Sequence, residues 1–211
     1  MRMALGLLAF LLAAGAAAAG DGEVTVYPQD SDWWTGVCYE YGRQQNGEIE
    51  WWQPGITRHN GWVKFDLSAV PDTVGVTSAR LHYRVVAGTG SPQASIRQCA
   101  VDPVPNEGPA IYSSINSGVE FGTGDGYAGW HTVYLNSQGV AHILDCLARD
   151  WVAFGFRAVG TSANWARAEG HPGADRPYLV LNCVAQAVAE PRAGAPLLAF
   201  DIRPSVTTGG R

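Results

Sequence analysis

Between Val76 and Val86 apolar and polar residues alternate, with Ala79, Leu81, Tyr83 and Val85 on one side and Ser78, Arg80, His82 and Arg84 on the other. A period of two over that length defines a strand with one buried and one wet face. Glu23–Tyr27, stopped by Pro28, reads the same way, as does Trp62–Asp66. Ala94–Val101, Trp130–Leu135, Val152–Val159 and Tyr178–Val184 continue the series between clusters of Gly, Pro, Asn and Ser. Many short strands parted by turn residues predict an all-β sandwich or barrel. One segment changes period. Val140, Ile143, Leu144 and Leu147 fall at i, i+3, i+4 and i+7 and predict one short helix, capped by Asn136 or Ser137 and closed by Arg149. Its stripe is expected to lid one open end of the sandwich. The stretch from Pro28 to about Asn60 has no helical period and reads as irregular.

The two ends break this pattern. Met1-Arg2-Met3 is followed by an apolar run from Ala4 to Leu12 and then by Ala and Gly up to Ala17-Ala18-Ala19. That is the charged start, short apolar core and small-residue site of a secretory signal peptide, expected to span 1–19. The run fades before it reaches the length of a membrane span. The domain is expected at 20–184, a small polar linker at 185–195, and a short segment at 196–211 that is too small to fold alone. A net charge of −5 argues against nucleic acid, which needs a basic face.

Export changes the meaning of the cysteines. Cys38, Cys99, Cys146 and Cys183 form no C-x-x-C pair, so zinc and thioredoxin-type chemistry are disfavoured, and in an exported chain they read as two disulfides. Three connectivities are open; Cys38–Cys183 with Cys99–Cys146 is favoured because first and last strands often neighbour one another in a sandwich.

Catalytic patterns fail. There is no H-E-x-x-H, G-x-S-x-G or P-loop. Gly124-Asp125-Gly126-Tyr127-Ala128-Gly129 matches G-x-G-x-x-G, but a strand follows it rather than a helix, so it is a turn. The five histidines lie on separate elements. Asp21, Glu23, Asp30 and Asp32 are a candidate calcium set, since hard cations gather loop carboxylates. No other cofactor or metal is indicated. Asp66 and Ser68 are assigned to setting a turn before Pro71 rather than to catalysis. The positive signal is aromatic: Trp33, Trp34, Tyr39, Tyr41, Trp51 and Trp52 crowd before the Trp62 strand. Exposed flat rings stack on the apolar faces of sugars, so Trp33, Trp34, Trp51, Trp52 and Trp165 are the candidate carbohydrate-binding residues. The alternative is that they pack a satellite core around Cys38.

Trp62-Val63-Lys64-Phe65-Asp66-Leu67-Ser68-Ala69-Val70-Pro71, followed by Val76-Thr77-Ser78-Ala79-Arg80-Leu81-His82-Tyr83, resembles the signature of the DNRLRE-domain family. Arg176-Pro177-Tyr178-Leu179-Val180-Leu181 is similar to the strand on which that family ends. The resemblance implies a jelly-roll β-sandwich of the carbohydrate-binding-module kind, carried on exported bacterial proteins. Members usually bear an Asn-Tyr-Gly loop before the signature strand; here that place holds Cys38 and several Trp residues. Phe200 to Arg211 is similar to the opening of the carboxyl-terminal sorting domains of type IX secretion, with the Asn of their first strand absent.

The expectation is therefore an exported, non-catalytic β-sandwich module at the bacterial cell surface, with no membrane span in the mature chain and a polysaccharide or surface glycan as partner. Two alternatives stand beside it. One is a structural module of a surface layer, fibre or adhesin; the other is an accessory domain of a polysaccharide-degrading enzyme.

Overall fold

In a computed structural model the chain is described over residues 21–44, 47–52, 58–90, 92–160 and 164–185. The expected signal peptide, most of the linker and the last segment lie outside the described residues. In chain order the elements are β1 Gly22–Val26, β2 Thr35–Tyr39, β3 Gly42–Gln44, β4 Glu48–Trp52, β5 Asn60–Asp66, β6 Val74–Thr89 and β7 Ala94–Gln98. They continue as α1 Gly108–Ser117, β8 Glu120–Gly124, β9 Gly129–Tyr134, α2 Ser137–Cys146, β10 Trp151–Ala158, β11 Trp165–Glu169 and β12 Tyr178–Ala185.

The alternation in β6 organises the first sheet. Its apolar side, Ala79, Leu81, Tyr83 and Val85, is buried. Its partners are β12, with Tyr178 opposite His82, and β9, with Trp130 opposite Arg84. Through these and β11 the sheet runs β1-β12-β6-β11-β4, with β9 also on β6. A second sheet runs β3-β2-β5-β10-β7-β8, and all pairings are antiparallel. The inner faces meet in a core of Trp51, Phe65, Leu81, Tyr83, Phe154, Phe156, Leu179 and Leu181. Trp51 stacks on Phe156 at 5.4 Å, and both meet Tyr83 edge-on. The fold is an all-β sandwich, as the alternation predicts.

Two sequence expectations need correction. The region before Asn60, expected to be irregular, holds β2, β3 and β4. Glycines hide the alternation there: Gly36 faces the Trp62 indole so closely that a Cβ would lie 2.5 Å from the ring. The described residues also hold a second helix that the sequence did not predict. α1 carries only Ile111 and Ile115 as fully buried apolar anchors, a stripe too sparse to register as a helical period. Ile115 sits on Gly155 of β10, and a Cβ at that glycine would lie 2.5 Å from it. α1 thus roofs the outer face of the second sheet over a satellite core of Cys38, Trp62, Cys99, Ile111, Ile115 and Ala153.

The expected helix is present as α2. Asn136 caps it, its Oδ1 accepting from the Gly139 amide at 3.0 Å. Its buried side is Gly139, His142, Ile143 and Cys146, with Val140 and Leu144 partly buried against the main core. The Asp66 turn is also formed: the Ser68 amide donates to Asp66 Oδ1 at 2.9 Å. No helix among the described residues is long and apolar enough to cross a membrane.

Candidate ligand-binding face

The structure scatters the five tryptophans expected to bind sugar. Trp51 is fully buried, and its indole donates to Pro92 O at 3.2 Å. Trp34 is buried and, with Trp151, flanks the Lys64 ammonium at 4.5 and 4.8 Å. Lys64 also donates to both oxygens of Asp102 at 2.8 Å, so this is a closed structural cage. Trp33, at φ 70°, packs against the satellite core beside Trp62, whose indole donates to Trp33 O at 3.0 Å. Trp51 and Trp34 pack the protein and offer no open face, and Trp33 is partly buried against the satellite core. Trp52 and Trp165 are also partly exposed and are paired across β4 and β11, with His59 edge-on to Trp52 at 5.2 Å.

The disulfide expectation is corrected as well: all four cysteines are free and buried. First and last strands do neighbour one another, since Gly22 faces Cys183 across β1 and β12. Cys38, however, lies on β2 of the other sheet and shares the satellite core with Cys99, whereas Cys146 and Cys183 sit in the main core. Neither expected pairing is formed. Each thiol is raised chiefly by burial, Cys99 to about 12 and Cys146 to about 11. Cys146 lies 3.8 Å from the His142 ring nitrogens, a contact that brings a thiol and an imidazole together. Burial pushes His142 down to about 4, so both groups are neutral, the reverse of an activated nucleophile.

Nor do the candidate calcium ligands converge. Glu23 pairs with Arg80, Asp21 accepts from the Ala185 amide at 3.1 Å, and Asp30 faces His171 at 3.7 Å. Among the described residues no three His, Cys, Asp or Glu side chains form a metal-sized group.

What the structure does assemble is the outer face of the first sheet. Strand alternation that buries His131 and Val133 of β9 sends Trp130, Thr132 and Tyr134 outward. On β6 the same logic presents Arg80, His82 and Arg84; on β12 it presents Tyr178, and just beyond β1 it presents Tyr27. Trp130 is 47% exposed, Tyr134 72% and Tyr27 44%. The rings touch in series. Tyr178 stacks on His82 at 4.5 Å, meets Trp130 at 5.8 Å and meets Tyr27 at 5.9 Å. His82 shares a 2.9 Å hydrogen bond with Thr132, and burial and the nearby Arg80 hold its imidazole below the usual pKa. Tyr178 is thereby wedged upright between neighbours, and Trp130 leans on it with much of its surface open. The charges among the rings are compensated: Arg80 pairs with Glu23, and Arg84 with Asp175 and Glu169.

Beyond Tyr27 this face runs into an open cleft of about 520 Å³ lined by Tyr27, Gln29, Asp30, Asp66, Ser68 and Arg176, among others. Sequence reasoning placed β9, β6 and β12 but did not apply the alternation of β9 to Trp130 and Tyr134. The outward parity of those rings was the available signal.

No family model matches this chain, and no curated protein matches it either.

Proposed function

We propose that the chain is a non-catalytic β-sandwich module of an exported bacterial surface protein, and that the outer face of its first sheet binds extracellular polysaccharide. The observation that carries this reading is the row Tyr27, Tyr178 and Trp130, with Tyr134 beside it, on an otherwise charge-compensated sheet face. A sugar ring presents apolar C–H faces and a rim of hydroxyls. An open indole offers the first a flat partner, and flanking Thr132, Arg84 and Asp175 offer the second donors and acceptors. Trp130 and Tyr134 stand four residues apart on one strand, about 13 Å at the rise of an extended chain, so their rings serve separate units of a polymer. The β-sandwich and the signature-like segment Trp62–Pro71, a strand to Asp66 and then a turn, support the same reading.

Retention of the purified domain on insoluble glucans, xylan, mannan and chitin tests it. Wild type should be retained on at least one of them, and Trp130→Ala should not. Retention should be weak for one module and strengthened by multivalent display. Exposed aromatics and arginine are also typical of protein interfaces, which keeps a self-assembling structural module as the second reading. Sedimentation separates the two: concentration-dependent dimers abolished by Trp130→Ala, without glycan retention, would replace the first reading with the second.

A further inference from the structure

We propose that the cleft beside Tyr27 is the selective end of this same site, taking one neutral sugar residue of the bound chain by its hydroxyl pair. The inference rests on the sheet-face reading and adds to it the class of ligand. Tyr27 belongs to both parts, since it meets Tyr178 in the aromatic row and lines the cleft. The cleft wall is fixed before any ligand arrives. The Asp66 amide donates to Tyr27 O at 3.1 Å, Gln29 Nε2 donates to Asp66 Oδ2 at 2.7 Å, and the Ser68 amide donates to Asp66 Oδ1. Groups held in this way lose little freedom on binding.

Asp66 remains an anionic acceptor. Burial would raise its pKa, but the hydrogen bonds from Gln29 and Ser68 and the charge of Lys64 outweigh that and hold it below the usual value. Arg176 lies over the Tyr27 ring at 5.0 Å and has no carboxylate within ion-pair distance among the described residues. A vicinal diol matches this pair of groups, donating to the carboxylate and accepting from the guanidinium. Charge excludes the obvious competitor. The lining carries Asp30 and Asp66 against Arg176, a surplus of one negative charge, so a uronate or sulfated residue meets net repulsion.

Calorimetric titration of wild type, Arg176→Ala, Gln29→Ala and Trp130→Ala with neutral and uronate hexasaccharides tests the inference. A neutral hexasaccharide should bind wild type at least about tenfold more tightly than an oligogalacturonate. Arg176→Ala should weaken that neutral ligand by about tenfold at unchanged melting temperature, the scale of losing a hydrogen bond to a charged partner, and Gln29→Ala should weaken it as well by releasing the Asp66 carboxylate that Gln29 holds in place. Should one variant fail to fold, the other decides. Loss of binding in Trp130→Ala with none in either cleft variant would overturn the cleft assignment and spare the sheet face. Tighter binding of the uronate chain would overturn the ligand class, and no glycan binding by wild type would overturn both readings.

Discussion

Lowering the pH from 7.5 to 4.5 should destabilise the sandwich through His142. This imidazole is 9% exposed, lies against Phe121 with ring centroids 5.3 Å apart and meets Gln98 Nε2 at 3.2 Å. Burial, reinforced by the Arg149 charge, pushes its pKa down to about 4. The folded protein therefore holds the neutral ring, whereas an unfolded chain protonates it near ~6.5. A depressed histidine contributes its full stability above the unfolded value and loses it as pH falls towards the folded one. The difference of roughly 2.5 units sets a ceiling of about 3 kcal/mol. The ring also lines the hollow formed with Gln138 and Ala141, and screening by water there brings the expectation to about 2 kcal/mol. Urea unfolding at a series of pH values is the assay, with His142→Gln as the control that keeps a polar partner for Gln98 but cannot titrate. His82 is depressed too and acts in the same window, so the test is the difference between the two proteins. Carboxylates held low, such as Asp66, lose their contribution only at lower pH. Parallel curves for wild type and variant from pH 7.5 to 4.5 would refute the reasoning.

Three further outcomes follow from the packing. Asp102→Ala should cost about 3 kcal/mol by stranding the Lys64 ammonium, which is 7% exposed, and Lys64→Met should cost less because Asp102 is 26% exposed; chemical denaturation of both variants checks the order. Trp51→Ala should cost about 3–5 kcal/mol, whereas Trp130→Ala should stay within about 0.5 kcal/mol of wild type, read by the same unfolding curves. Thiol titration should count none in the native protein and four after denaturation without reductant, because all four thiols are buried and free; two or none after denaturation would restore the disulfides.

The fold was legible where one side of a strand is apolar throughout. The β6 alternation gave both its faces correctly, and the stripe from Val140 to Leu147 located α2 to within one residue of its end at Cys146. Legibility failed where backbone contact replaces side-chain pattern. At Gly36 and Gly155 the packing partner is a missing Cβ, so β2 and the seat of α1 left no period to detect. The burial of Trp34 and Trp51 was hidden for a different reason. Crowding of Trp33, Trp34, Trp51 and Trp52 is a fact of sequence, but which rings face water depends on which sheet each strand joins. Composition cannot separate a ring that walls the Lys64 cage from one that lies open. Trp130 and Tyr134 stood on a strand whose parity was readable, since His131 and Val133 turn inward. The cysteines were read from the compartment an exported chain enters, which says nothing of how far apart the fold holds them. Cys38 and Cys183 end in different packed clusters.

The central claim is that the outer face of the first sheet, at Trp130, is the surface that meets polysaccharide. The indole N–H signals of the eight tryptophans report on it directly in a nuclear magnetic resonance titration with a neutral oligosaccharide. The account predicts that the Trp130 signal shifts progressively and saturably, while those of the fully buried Trp51 and Trp62 stay in place. A saturable shift confined to Trp52 and Trp165, with Trp130 unmoved, would contradict it and move the site to the β4–β11 pair.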